Sequence, residues 1–452
     1  MFWFVKPRKS RFFAFFGSRA KIENDVELWY TGKNGPAFVG KGYAMAQKIL
    51  VLVLLVLIWL YEVFLKWLSM RSRFNPIPPC VADVYDESTY RLQLLYRADK
   101  NRLAILQSAQ VFAIEFILML FNLYAAFARL FGPDPWKQMF AVVLLYSLTS
   151  LVTIPFQYYD TMKIEERYGF NRTTVRTFVL DRIKEFVMLL GLNVGCGSLL
   201  FGLHQIFGDW LALVFSAAMM LFILFYTFLF PFFSRIFNKF KPLEDGELKD
   251  KLIALLEKNG YRVRAIRVMD ASRRSTKANA YFAGFGKMKT IVLYDTLIET
   301  MTVDEIVAVF AHELGHGLHK DTLKTQFLTC LFTLILGFFA LITLKSSSLF
   351  AAFGFEGVNY GFALLIVVSV EFGICMPLFS LLTNEFSRRA EYRADAHAVK
   401  EGCGEALISA LKKLARQNYG DLSPSPLFVA LTYSHPTLAQ RIEAIRELAR
   451  GA

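Results

Sequence analysis

Long apolar runs separated by short polar breaks dominate the chain. The first covers 49–68 and stays almost wholly apolar until Glu62 and Lys66. Runs 109–131 and 139–159 form a pair joined by Gly132-Pro133-Asp134-Pro135, and 186–207 and 210–233 form a second pair joined around Gly208-Asp209. After a long polar segment come 327–344 and 362–382, the last interrupted by Glu371 and Pro377. Each approaches the roughly 20 residues a helix needs to cross a bilayer, so the pattern predicts about seven transmembrane helices.

The polar connections fall into two sets. Stretches 69–105, 160–184, 234–325 and the tail after 383 are rich in Lys and Arg, whereas 132–138, 208–209 and 345–361 carry almost none. This asymmetry marks the first set as cytoplasmic. An odd number of spans then puts the amino terminus on the other face, against the basic character of residues 1–45. Those residues mix cations with Phe12, Phe13, Phe15 and Phe16 and hold no apolar run long enough for a signal-peptide core. They read as an extension or an interfacial anchor.

The long cytoplasmic segment has soluble-type patterning. Residues 248–258 show helical periodicity, with Leu252, Leu255 and Leu256 on one side. Stretches 264–270 and 290–294 read as short strands, because β-branched and apolar residues sit between polar flanks. Between them lies Ala278-Asn279-Ala280-Tyr281-Phe282, followed by a glycine-containing stretch. Thr302 and Glu305 have the spacing of a capping box, opening a helix that runs into His312. A strand pair ahead of such a helix leaves an exposed strand edge that can pair with an extended backbone.

Composition supports the membrane reading: the chain is 55% hydrophobic and 15% aromatic, with 45 phenylalanines. Its 5 cysteines are scattered and form no CxxC pair, which indicates neither a disulfide framework nor a thiolate metal site. The net charge of +13 is accounted for by loops between spans, and no aromatic-interleaved basic stripe points to nucleic acid.

The candidate chemistry lies in Val309-Phe310-Ala311-His312-Glu313-Leu314-Gly315-His316, a His-Glu-x-x-His pattern in a helix-compatible run. Helical spacing puts His312 and His316 one turn apart on one face, within reach of a single ion, with Glu313 beside them as a base for water. The bland alternative is a buried helix with two hydrogen-bonded histidines. A third ligand decides between the two. His319 is near the same face, but three ligands on one helix do not surround an ion tetrahedrally. Glu391 and Asp395 lie one turn apart in Ser387-Arg388-Arg389-Ala390-Glu391-Tyr392-Arg393-Ala394-Asp395. Glu391 can ligate while Asp395 accepts the second N–H of a ligating imidazole. On spacing alone, a solvated charged helix explains this stretch equally well.

Taken together, the motifs resemble the type I CAAX prenyl protease family of multi-spanning zinc metalloproteases. The resemblance runs from about the first span to the carboxyl end. It is carried by Glu165-Glu166-Arg167-Tyr168-Gly169-Phe170-Asn171, Phe237-Asn238-Lys239-Phe240, the stretch 242–248, Ala278-Asn279-Ala280-Tyr281-Phe282, the two motifs above, and Ser434-His435-Pro436-Thr437-Leu438. It implies a mostly α polytopic fold: seven tilted spans form a barrel-like chamber, capped by a gluzincin-type zinc metalloprotease domain with a small β-sheet. One Zn2+ per chain would be held by His312, His316 and Glu391, with Glu313 as general base and Asp395 behind an imidazole. His435 would stabilise the transition state, and Asn279 and Ala280, taken with Tyr281, would hold the substrate backbone. The implied layout is an extension over 1–48, spans one to five over 49–233, the metalloprotease segment over 234–326, the last two spans over 327–383, and a cytoplasmic segment with the third ligand over 384–452.

The implied activity is removal of the carboxyl-terminal tripeptide from prenylated CAAX proteins. A quality-control protease that clears misfolded or stalled membrane proteins shares every one of these residues. A transporter should show internal repeats, and none is present. The connection 345–361 is short for the family, Gly317-Leu318-His319-Lys320-Asp321 departs from its usual continuation, and Glu447-Leu448-Ala449-Arg450-Gly451-Ala452 carries no retrieval signal. The resemblance therefore leaves the membrane as endoplasmic reticulum in a eukaryote or inner membrane in a bacterium, with the active site facing the cytoplasm. Asn171-Arg172-Thr173 is a glycosylation sequon on the side assigned to the cytoplasm, so it should remain unmodified. A glycan at Asn171, seen as a glycosidase-sensitive shift in mobility, would reverse the orientation.

Overall fold

The structure is a computed structural model that describes residues 36–283 and 290–451. The readings of residues 1–35 lie outside the described residues. Among the described residues, six stretches are long and apolar enough to cross a membrane: Gly42–Phe74, Glu87–Leu120, Pro135–Glu165, Val175–Phe225, Asp321–Lys345 and Tyr360–Lys400. The fourth holds two helices, Val175–Phe207 and Leu211–Phe237, which pack together across the tight turn Gly208–Trp210. Gly208 takes φ 50° there, a left-handed value that favours glycine. Counted as helices, the six stretches match the expected seven. Their outward faces carry exposed Leu60, Leu221, Phe327, Phe338 and Leu382, as lipid contact requires.

The second span differs from its expected position. The helix runs Glu87–Leu120, capped at its start by Asp86, which accepts a hydrogen bond from Thr89 N at 2.8 Å. It stops where Asn122 turns left-handed at φ 57°, ahead of the short helix Leu123–Arg129. The polar amino-terminal half of this helix reads as a loop in the sequence. It is helical because it leaves the bilayer and docks on polar partners: Tyr96 donates to Glu165 at 2.7 Å, and Lys100 bridges Asp160 and Glu165. Helices also run through the boundaries expected at 48, 233, 326 and 383, because spans continue out of the membrane into the cap.

The cap is built on a four-stranded sheet in the order β1 (Phe240–Pro242), β2 (Ala265–Met269), β4 (Thr290–Tyr294), β3 (Ala280–Ala283). β2 and β4 are the two strands expected, and they pair in parallel. β3 pairs antiparallel with β4 and, among the described residues, is the last strand in the order, so the Asn279–Tyr281 stretch leads into the edge strand. Helices Glu247–Lys258, Val303–Leu318, Gly404–Gln417 and Leu438–Gly451 cover the sheet and share a core containing Leu252, Ile291, Phe310, Leu407 and Ile442. A second core, with Met139, Leu200, Phe350 and Phe362, lies among the spans.

Two close approaches fix the spans against each other and against the cap. A Cβ on Gly337 would strike Ser216 and would lie 2.8 Å from the Ala212 carbonyl oxygen, so helices Asp321–Lys345 and Leu211–Phe237 meet backbone to backbone. Small residues permit such contact where lipid supplies no hydrophobic drive. In the cap, Thr302 and Glu305 form the full capping box of the His312 helix. The buried Glu305 also takes Ser409 Oγ at 2.6 Å and Lys413 Nζ at 2.7 Å. Burial alone would raise its pKa, but Lys413, Ser409 and the Thr302 N–H bring it from 4.5 down to about 2. A carboxylate with a depressed folded pKa stabilises above its unfolded value and loses that contribution as pH falls through the folded one. Glu305→Ala should therefore cost about 1–3 kcal/mol near neutrality. Its melting-temperature deficit in detergent should persist down to pH 4.5 and close toward about 2.

Candidate metal centre

The site sits where the His312 helix crosses the long helix Phe372–Lys400, which emerges from the last span. Gly315 makes the crossing possible, because a Cβ there would lie 2.8 Å from Ala394 Cα. The close approach brings His312, His316 and Glu391 together, with one ligand atom from each within 4.8 Å of the others. Nε2 of His312 lies 3.4 Å and Nε2 of His316 3.2 Å from the Glu391 carboxylate. The imidazole planes cross at 88°.

Each imidazole is oriented from behind by its own carboxylate. Nδ1 of His312 donates to Asp395 at 2.8 Å, and Nδ1 of His316 donates to Asp321 at 3.1 Å. With Nδ1 so engaged, both Nε2 atoms face the Glu391 carboxylate and are the nitrogens left to hold an ion. Arg441 locks Asp395 with two hydrogen bonds, from Nε at 2.9 Å and Nη2 at 2.6 Å, and its Nη1 lies 3.4 Å from Glu391. Arg393 and Lys324 hold Asp321. Burial pushes the Glu313 carboxyl up from its ordinary range, against the opposing pull of His312 and His316. Burial pulls His316 down, but the hydrogen bond and charge of Glu391 outweigh it and raise that group to about 9.

This donor set fits a divalent cation. His312, His316 and Glu391 offer two imidazole nitrogens and a carboxylate oxygen in a largely buried seam, the mixed donor set that suits a divalent ion. The buried Glu391 Oε2 has no hydrogen-bond donor among the described residues. Two imidazole nitrogens and one carboxylate leave a coordination position open, as a catalytic metal needs.

The other expected residues lie around this cluster. His435, on the loop between helices Pro426–Thr432 and Leu438–Gly451, places Nδ1 2.9 Å from Glu391, with its side chain 63% exposed. Tyr281, Glu313, His316, Ser434 and His435 line one cleft of about 420 Å³. Asn279 is exposed at the start of β3, its Oδ1 accepting from Ala280 N at 2.9 Å, and lines a neighbouring hollow. His319 ends the motif helix and is outside the cluster.

The profile of peptidase family M48 matches residues 242–449. That described as CAAX prenyl protease N-terminal, five membrane helices, matches 66–239. An Arabidopsis thaliana protein named CAAX prenyl protease 1 homolog is 31% identical over 408 residues, covering 86% of this chain and 95% of that relative. CAAX prenyl protease 1 of Saccharomyces cerevisiae is 31% identical over 406 residues, covering 82% and 88%. The chain belongs to the CAAX prenyl protease 1 family of M48 peptidases. The crystal structure of S. mikatae Ste24p superposes with a TM-score of 0.81 at 26% identity, covering 88% of this chain and 99% of that one. This M48 peptidase is a multi-pass membrane metalloprotease.

Asp321 and Arg441 are the residues of the centre that sequence reasoning missed. Asp321 lies past the end of the motif helix and folds back only because Lys320 turns left-handed at φ 56°. Arg441 follows Ser434-His435-Pro436-Thr437 on a helix whose charges otherwise look solvated. Neither position has local spacing to the histidines that would mark it. Asp395→Asn and Arg441→Met should each weaken metal retention about 10- to 100-fold, since both act through the His312 imidazole. The check is metal content per chain after dialysis against a graded chelator series.

Proposed function

We propose that this peptidase holds one zinc ion at His312, His316 and Glu391 and removes the carboxyl-terminal tripeptide of prenylated CAAX proteins at the cytoplasmic face of its membrane. The observation that carries the reading is the three-ligand cluster at the head of the spans. It occurs in a chain that aligns over 86% of its length with a relative named for that activity. The relatives compared are eukaryotic, and by analogy the membrane is endoplasmic reticulum; in a bacterium it would be the inner membrane.

Bound zinc supplies Lewis-acid polarisation of the scissile carbonyl and acidifies water. Glu313 takes the proton from the attacking water and passes it to the leaving amine nitrogen. Its raised pKa makes it a stronger base for taking that proton than an ordinary carboxylate. Asp395 and Asp321 keep the two imidazoles in one tautomer and one orientation. The edge strand β3, with Asn279, Ala280 and Tyr281, receives the substrate backbone. His435, exposed on its loop, swings from Glu391 to donate to the developing oxyanion.

Glu313→Gln should retain zinc and lose turnover by at least 100-fold, on the order expected for a general base. His312→Ala should lose both. The direct test gives detergent-purified protein a farnesylated CAAX peptide and its unprenylated twin, with and without a zinc chelator. Chelator-sensitive cleavage favouring the farnesylated peptide is expected. Equal cleavage of both would instead favour clearance of misfolded membrane proteins, and full activity in Glu313→Gln would remove that residue as the base.

A further inference from the structure

A second cavity, of about 620 Å³, lies among the spans on the far side of the short helix Pro426–Thr432. Two facing stripes build it. Helix Pro36–Arg71 contributes Leu55, Ile58, Trp59, Glu62, Leu65 and Lys66, and helix Glu87–Leu120 contributes Ala104, Gln107, Ser108, Val111, Phe112 and Glu115. Each set follows the three-and-four spacing of a single helix face. The helices run antiparallel: Asn101 bonds Ser69, Trp59 stacks on Phe112 at 4.9 Å, and Lys48 reaches the Leu120 carbonyl. Lys66 and Ala104 therefore mark the end nearer the cap, and Leu55 and Glu115 mark the deep end, where Glu115 bonds Ser369.

The cavity is long and mostly apolar along its walls. At ~1.5 Å rise per residue, the stripe from Leu55 to Lys66 extends roughly 16 Å. Phe428 and Thr432 line its flank, and three residues further on His435 lines the catalytic cleft. That separation is at most about 10 Å of chain. The short helix is pinned between the two hollows, with Asn384 Nδ2 donating to the Leu431 carbonyl at 3.3 Å and Arg388 to the Tyr433 carbonyl at 2.8 Å.

Among the described residues, the cleft itself offers no comparable apolar slot. Away from the histidines its walls include Thr322, Thr325, Gln326, Ser387 and Ser434. If the peptidase removes the tripeptide after a prenylated cysteine, the scissile bond directly follows the residue that carries the isoprenoid. The thioether then lies within one residue, ~3.5 Å of backbone, of the reacting carbonyl. The hydrocarbon attached to it has to leave this polar cleft for an apolar site nearby. At bond lengths near ~1.5 Å, the ~12 main-chain carbons of a farnesyl group span roughly 14 Å, close to the length of the cavity.

We infer that this cavity binds the isoprenoid chain of the substrate, a reading that rests on the function proposed above. Trp59, Val111 and Phe112 are its specificity-determining wall, and helix Pro426–Thr432 is the sill over which the chain passes. Burial of each methylene favours the prenylated peptide over its bare twin.

The test uses full-length protein in detergent. Ile58→Trp and Val111→Trp fill the cavity from opposite walls. Each should raise KM for the farnesylated CAAX peptide at least tenfold with kcat altered less than twofold. The ratio of kcat/KM between farnesylated and unprenylated peptide should fall by the same factor. In wild type, a farnesyl-diazirine CAAX peptide should photolabel residues 55–66 and 104–115, which keeps the inference testable if a variant folds poorly. Two outcomes would overturn the cavity alone: a wild type that prefers the farnesylated peptide while both variants keep that preference, or labels that map elsewhere. A wild type indifferent to the farnesyl group would instead bring down the proposed function, and this inference with it.

Discussion

Three carboxylates and one guanidinium share the buried seam between the His312 helix and the helix from the last span, and the arrangement of the cap follows from satisfying them. Buried charge is tolerated only when paired and hydrogen-bonded, so every neighbour of the seam is committed. Asp395 is fully buried and spends both oxygens on Arg441 and His312. Arg441 comes from the helix nearest the carboxyl end, His312 from the middle of the cap, and Asp395 from the end of a span. The seam thus stitches together parts of the chain that are remote in sequence.

Close packing at Gly315 sets the geometry around that seam. A larger residue would push the Glu391 helix outward by the width of a methyl group, and the carboxylate would leave the imidazoles behind. The capping box at Thr302 and Glu305 fixes where the His312 helix begins, and the left-handed Lys320 fixes where it ends. Between these stops the two histidines have one possible height against the sheet edge at β3. Position along the helix, approach between helices and the placing of the edge strand are therefore set by separate local rules that agree with one another.

Much of this was legible in the sequence because it rests on local patterns. The capping box, the Leu252–Leu255–Leu256 face, the strands at 265–269 and 290–294 and the helical spacing of His312 and His316 depend on neighbours only a few residues apart. The start of the second span was not legible. Tyr96, Asp99 and Lys100 look like loop residues until Glu165, Arg167 and Asp160 supply partners from another helix. β1 and β3 escaped notice because Lys241-Pro242 and Ala278–Phe282 carry little strand signal, and it is pairing with β2 and β4 that makes them strands. Arg441 and Asp321 share that limitation, since their importance arises only from contacts across the fold.

Glu391 lies on a helix that continues without interruption from the last membrane-spanning stretch, and Asp321 opens the helix of the stretch before it. Cutting the cap away from the bilayer-embedded part would therefore remove one member of the candidate ligand set and the support of another in the same stroke. The candidate centre has no water-soluble fragment to be isolated as. It is a property of the whole embedded chain, and changes in the tilt of the spans are transmitted to it along continuous helical backbone.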